Sequence, residues 1–198
     1  MNSDPLKLRP VATRPNATPG LLRQIREDFC CHARDWTLPG FRTIAIHRFG
    51  VWRMKLRPRL VRWPFSLLYR ILFLRCRNVY GIELLYTVAV GRRVVIEHQG
   101  GIIIHQQSVI GDDCIIRQGV TLGIKSTKQR LGAPVLGRGV EVGAGAVILG
   151  DVIVGDWATI GANAVVTKDV SAGTTVAGVP AVPIHANGEA AIPESPKS

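Results

Sequence analysis

A six-residue repeat fills the second half of the chain, and few folds can be built on it. The hexads read VAVGRR (88–93), VVIEHQGG (94–101, two residues longer), IIIHQQ, SVIGDD, CIIRQG and then VTLG from Val120. A loop intervenes, and the register resumes as PVLGRG (134–139), VEVGAG, AVILGD, VIVGDW, ATIGAN and AVVTKD (164–169). The third position is Val90, Ile96, Ile104, Ile110, Ile116, Leu122, Leu136, Val142, Ile148, Val154, Ile160 and Val166, without one polar residue. Glycine often follows it, as at Gly91, Gly111, Gly123 and Gly137. A short strand per hexad, with an aliphatic side chain inward and glycine where the backbone turns, predicts a prism-shaped parallel β-helix. Three hexads make one triangular coil. A sandwich of short strands would need turn signals every 8–12 residues and faces of period two, which this pattern lacks.

The chain has 198 residues, 46% hydrophobic and 20% charged, enough for a sizeable core, which excludes a disordered tail protein or a disulfide-stapled peptide. Its net charge of +11 is unevenly placed. Residues 1–80 hold 16 Lys/Arg and 4 Asp/Glu, whereas residues 81–198 hold 9 and 10. Cys30, Cys31, Cys76 and Cys114 show no C-x-x-C spacing and suit neither a zinc site nor a disulfide framework, so a reducing compartment and no metal are expected. The N-terminus lacks an apolar signal region, and the apolar stretch Phe65–Leu74 is interrupted by Arg70. A cytoplasmic protein, not integral to a membrane, is expected.

Residues 1–20, with four prolines among polar residues, read as a flexible leader, and 185–198 as a flexible tail. Residues 21–80 read as about three helices: Leu21–Arg34, then Phe41–Lys55 after the punctuation of Pro39-Gly40, then a third opening near Pro64 as a first-turn proline. Residues 81–184 form the β-helix.

The segments GIELLYTVAVGRRVVIEHQGG, VTLG, VEVGAGAVILGDVIVG and AGVPA resemble the hexapeptide acyltransferases, most closely serine acetyltransferase. Length and texture are nearest to the bacterial exopolysaccharide acetyltransferases of the colanic acid kind. The resemblance implies a left-handed coil, a hand the general crossover rule would not favour. It also implies acetyl transfer from acetyl-CoA and a homotrimer or a pair of trimers, with active sites between subunits.

Moving an acetyl group from a thioester to a hydroxyl needs a base for the hydroxyl proton, and histidine is the natural one near neutral pH. His32 and His47 belong to the helical part and His185 lies past the last coil, leaving His98 and His105. His98 sits in the irregular hexad, whose two extra residues bulge the coil, and it matches the family's catalytic histidine; His105 occupies a regular corner. The resemblance makes Glu83 the carboxylate partner of His98, where the family usually has Asp, and makes Glu97 and Asp35 acceptor-binding. Residues 124–133 carry the eight-residue excess of an ejected loop with Lys125, Lys128 and Arg130, cations that suit the phosphates of coenzyme A. Ala144 and Ala162 are three hexads apart, hence stacked, and match positions lining the acetyl-CoA cleft, with Gly123 at the loop's base and Lys168 near the nucleotide end.

One departure bears on the acceptor. Just before the proline that restarts the coils, the family carries an Arg-His pair that binds the serine carboxylate; here Gly132-Ala133 precede Pro134. A carboxylate without that cation loses a charge-assisted pair of about 1.5–3 kcal/mol. The expected acceptor is therefore a sugar hydroxyl in a surface glycan, with serine acetylation and a non-enzymatic scaffold as alternatives. A carbonic anhydrase of this architecture would need three zinc-binding His, and the coils hold two. The basic stretch 48–77 reads as a helical layer with a solvated charged face, or as a peripheral contact with the inner face of a membrane. No nucleic-acid reading motif accompanies it.

Overall fold

The computed structural model describes residues 20–125 and 132–184. Most of the expected leader, the expected tail, and the loop cations Lys128 and Arg130 lie outside the described residues. Three helices come first, α1 (Leu21–Cys31), α2 (Pro39–Arg53) and α3 (Arg59–Arg75), and a π-helical turn over Cys76–Tyr80 delivers the chain to the coils.

The coils follow the hexads. β1 (Ile82–Leu84), β2 (Ala89–Val90) and β3 (Val95–Ile96) make the first, and β4 (Ile102–Ile104), β5 (Val109–Ile110) and β6 (Ile115–Ile116) the second. The third is β7 (Thr121–Gly123), β8 (Val135–Leu136) and β9 (Glu141–Val142); the fourth is β10 (Val147–Leu149), β11 (Ile153–Val154) and β12 (Thr159–Ile160). A partial fifth has β13 (Val165–Val166) and β14 (Thr175–Ala177), closed by β15 (Val182–Pro183) antiparallel to β14. Every third strand pairs in parallel, giving three sheets: β1-β4-β7-β10-β13, β2-β5-β8-β11, and β3-β6-β9-β12-β14 with β15. This is the expected left-handed parallel β-helix.

Strand register measures the irregularities. Val135 pairs with Ile153, three hexads on, as the period demands. Ile82 pairs with Ile102, two positions further than three hexads, because the hexad holding His98 is longer by two. Val109 pairs with Val135, eight positions beyond three hexads, because the loop after Gly123 adds eight. Each hexad sends two side chains inward, not one. Val94 and Ile96, Ile102 and Ile104, and Val120 and Leu122 are all buried, with an outward residue between them. Each such burial contributes about 1.5–3 kcal/mol.

The first coil ends the sheets, so its outer backbone groups have no strand to pair with. The helices supply the partners. Arg48 donates from Nη1 to the Val90 carbonyl at 2.8 Å and from Nη2 to the Gly91 carbonyl at 2.6 Å, while its Nε meets buried Asp28 at 2.9 Å. His47 donates from Nε2 to the Val88 carbonyl at 3.0 Å. His32 donates from Nδ1 to the Asp28 carbonyl at 2.7 Å and accepts at Nε2 from the Ile96 amide at 3.3 Å.

Three helix expectations need correction. Pro39 and Gly40 do not precede α2 but open it, Pro39 at its first position and Gly40 against the Ile96 carbonyl oxygen, where a Cβ would collide. Pro64 does not start α3 but lies inside it, because Pro58 already sets the entry geometry and the carbonyl that Pro64 leaves unbonded belongs to exposed Leu60. The charges of 48–77 are not all solvated: Arg48 and Arg53 are buried, the Arg53 guanidinium lying 4.3 Å from the Tyr69 ring centroid and 4.5 Å from that of Tyr86.

Candidate active site

Corners of the prism decide which side chains share a surface. The edge between the third and first sheets carries the turns after β3, β6, β9 and β12. His98 stands there, exposed, in the segment that the two extra residues push out. Down the same edge the backbone runs as a ladder: Gly119 N–H donates to the Gly100 carbonyl at 2.8 Å, Gly145 N–H to Gln118 at 2.8 Å, and Asn163 N–H to Ala144 at 2.8 Å. Ala144 and Ala162 are therefore stacked, as their three-hexad spacing predicts. A Cβ on Gly101 would lie 3.4 Å from the Gly119 Cα, and one on Gly119 would lie 3.2 Å from the Gly145 Cα. Exposed Gln118 occupies the column just below His98, and beneath it, at Ala144 and Ala162, the strip is lined by backbone and small residues.

Glu97 shares this edge and pairs with Arg117 one coil on, at 2.7 Å, with Glu141 3.8 Å from the same guanidinium. An acceptor would meet a carboxylate already partnered. Glu83 sits at the middle of β1, pointing out from the first sheet beside Ile103. Among the described residues the side chains of Glu83 and His98 make no hydrogen bond to each other.

Asp35 lies in the turn between α1 and α2, where its carboxylate accepts from the Thr37 amide at 2.7 Å and the Thr37 hydroxyl at 2.6 Å. Those two bonds hold its carboxyl below the usual range. The turn abuts the irregular hexad, because His32 bonds Ile96, Gly40 packs on Ile96, and Arg42 donates to the Tyr80 hydroxyl at 3.0 Å. Sequence reasoning passed over Trp36 beside it. That indole is 66% exposed, with the Arg42 guanidinium 5.3 Å from its ring centroid. An exposed tryptophan flanking the candidate Asp35 was the available signal.

The remaining candidates fall on another edge. Gly123 ends β7 in the first sheet, and Lys125 and Lys168 occupy turns between the first and second sheets, as does His105. One chain therefore does not bring the cationic residues together with His98. Position 132, one of the two before Pro134, has no room for a side chain: Gly132 has φ +117°, and a Cβ there would lie 2.6 Å from that of Asp151. Ala133 is buried. Among the described residues no cluster of three His, Cys, Asp or Glu could hold a metal ion.

Residues 133–168 match the family model of bacterial transferase hexapeptide repeats. The crystal structure of serine acetyltransferase from Brucella abortus strain S19 superposes with a TM-score of 0.70 at 31% identity, covering 88% of this chain and 72% of that one. The chain belongs to the serine acetyltransferase-like family of hexapeptide-repeat transferases. A serine acetyltransferase in complex with CoA superposes at TM-score 0.67 with 30% identity, covering 84% of this chain and 70% of that one. Among curated members, the serine acetyltransferase of Synechocystis is 40% identical over 162 residues, 79% of this chain and 62% of its own length. The putative colanic acid biosynthesis acetyltransferase WcaB of Escherichia coli strain K12 is 38% identical over 107 residues, 54% of this chain and 64% of its own. The chain thus spans less than two thirds of either curated relative.

Proposed function

We propose that this chain is an acetyl-CoA-dependent O-acetyltransferase whose acceptor is a sugar hydroxyl of an exopolysaccharide or other surface glycan. The observation that carries the reading is His98, lifted from the regular coil and exposed above a strip of small residues. His98 takes the hydroxyl proton as the oxygen attacks the thioester carbonyl; the tetrahedral intermediate then expels the thiolate of coenzyme A, which is reprotonated. Glu83 orients the imidazole once substrates draw the two side chains together, and Glu97 and Asp35 contact the acceptor. The pantetheine arm lies along Ala144 and Ala162.

Lys125 and Lys168, with Gly123, complete the coenzyme A site from a neighbouring copy. Because they stand on a different edge from His98, a closed ring of chains sets the two edges face to face, and the family resemblance implies that the ring has three members. An active monomer in light scattering contradicts this arrangement.

Sugar is preferred to serine because the two positions before Pro134 offer no cation, one being a glycine without space for a side chain and the other a buried alanine. The likeness to WcaB supports the same acceptor class. Serine acetylation is the second reading, favoured by the longer match to serine acetyltransferases. Release of free thiol from acetyl-CoA, followed with serine and with a panel of oligosaccharides, tests the choice: turnover on serine equal to that on the sugars overturns it. The enzyme works in the cytoplasm, in peripheral contact with the inner face of the membrane.

A further inference from the structure

α3 is apolar on both sides. Its inward residues Phe65, Tyr69 and Phe73 pack toward the rest of the molecule, with the Tyr69 and Tyr86 rings edge to face at 5.5 Å and those of Trp52 and Phe65 at 5.6 Å. Its opposite side is no less apolar. Leu60, Trp63, Leu67 and Ile71 follow the helical spacing and are 90%, 69%, 49% and 57% exposed, and Val61 and Leu68 widen the stripe. The exposed charges of the helix are Arg59, Arg70 and Arg75. Between Asp35 and Glu83 the chain has no acidic residue at all, against ten Lys or Arg.

Centre and rim of this face specify its occupant. Nucleic acid would need cations at the centre. A protein groove would need acids to answer the arginines and a concave apolar seat. A flat stripe of Leu, Trp and Ile bordered by arginine, on a helix parallel to the surface, suits the boundary between anionic headgroups and acyl chains, where the apolar side chains enter and the guanidiniums meet phosphate. Among the described residues no helix is long and apolar enough to cross a bilayer, so the contact is interfacial.

We infer that the outward face of α3 docks the enzyme on an anionic lipid surface, with Leu60, Trp63, Leu67 and Ile71 inserted and Arg59, Arg70 and Arg75 on the headgroups. This rests on the peripheral contact proposed above and narrows it to one helix face, leaving out Arg53, which is buried against Tyr69 and Tyr86. Flotation of the full chain with phosphatidylglycerol-containing vesicles and with neutral phosphatidylcholine vesicles, at low and high salt, is the test. The expected result is binding to the anionic vesicles alone, lost at high salt, with a blue shift of Trp63 fluorescence that W63F removes. The triple variant R59Q/R70Q/R75Q should weaken partitioning by roughly 100-fold, and L67Q/I71Q by about tenfold or more. Circular dichroism verifies that both remain folded, and thiol release with a soluble acceptor, measured without lipid, should be unchanged in both. Absence of binding to anionic vesicles at low salt overturns the inference, as does equal binding to neutral ones. So does a concentration-dependent pairing of copies that L67Q/I71Q abolishes while vesicles remain unbound, since the face would then belong to a second copy. Vesicle binding by a protein inactive on every acceptor leaves the docking face standing and overturns only the proposed activity.

Discussion

Among the described residues, Asp28, His32, Thr43, His47, Arg48 and Arg53 are buried polar groups of the helical part, while the coils bury only Ser108. The coils fill their interior with Ile, Val, Leu, Cys and Ala, and each strand takes its backbone partners from the coils before and after it. A solenoid built in this way propagates but cannot end itself. Its first coil is terminated by side chains that carry hydrogen-bonding groups into a dry contact, and those groups are exacting: each needs its partner or costs about 1–3 kcal/mol. The repetitive half thus carries stability in bulk, and the non-repetitive half makes it conditional on charge and on pH.

The largest effect should come from the coil half. His98→Ala should lower turnover by roughly 10²–10⁴-fold, the usual contribution of a general base, while coenzyme A binding measured by calorimetry stays near its original value. Wild-type turnover would remove His98 from the mechanism. Next comes the junction. Arg48→Ala strands the Asp28 carboxylate and two edge carbonyls, and breaking such a buried pair costs about 3–5 kcal/mol. Ile116→Ala, deep in the coils, should cost about 2–5 kcal/mol. The two losses should differ in kind: denaturation of the Arg48 variant should release helical signal before strand signal, whereas the Ile116 variant should melt as one. A loss under about 1 kcal/mol for Arg48→Ala would show that the polar junction is not what holds the helices.

The third effect depends on acid. Burial and the neighbouring Arg48 charge push the His47 imidazole down to about 4, and among the described residues its Nδ1 has no hydrogen-bond partner. Because the folded value lies below the ordinary 6.5, the stabilisation is complete above pH 6.5 and is lost as the pH falls towards 4, by up to about 3 kcal/mol. Urea denaturation at pH 7, 5.5 and 4.5 should show the decline, and His47→Gln should flatten it. An unchanged slope in that variant would assign the acid sensitivity to other groups.

The same contrast explains what was legible in the sequence. Period six is local information, so coil boundaries, the bulge at His98 and the eight-residue loop could all be counted, and the strand register returned both excesses, two and eight. Stacking of Ala144 on Ala162 is likewise arithmetic. That Lys125 and Lys168 stand on another edge follows from the same counting, since they come after first-sheet hexads and His98 after a third-sheet one. The work of His47, Arg48 and Asp28 was not legible, because their partners are backbone groups far off along the chain or one another, and no periodicity links them. Read by composition, Arg48 and Arg53 were indistinguishable from the arginines of α3 that do face water. Pro64 misled for a related reason: its cost depends on whether the carbonyl it orphans is wet, which only the placement of Leu60 reveals.

The smallest effect tests whether the helical half does anything beyond closing the coil. Trp36 stands in the α1–α2 turn beside Asp35, exposed, with Arg42 over one face of the indole. A pyranose presents an apolar C–H face that an aromatic ring can cover, whereas free serine has none. Trp36→Ala should therefore raise KM for an oligosaccharide acceptor about tenfold with kcat little changed, the signature of lost uniform binding. KM for acetyl-CoA should not move, because Ala144 and Ala162, the proposed coenzyme A strip, lie two and three coils beyond the hexad that this turn abuts. An equal rise for sugar and serine would mean that the substitution merely loosens the turn, and the Asp35 bonds to Thr37 would be the place to look. Rescue by Trp36→Phe, which keeps an aromatic face and drops the indole N–H, separates stacking from hydrogen bonding. If Phe restores the sugar KM, the helical part takes a share in choosing the acceptor, and the division between a catalytic half and a capping half holds only for the proton transfer.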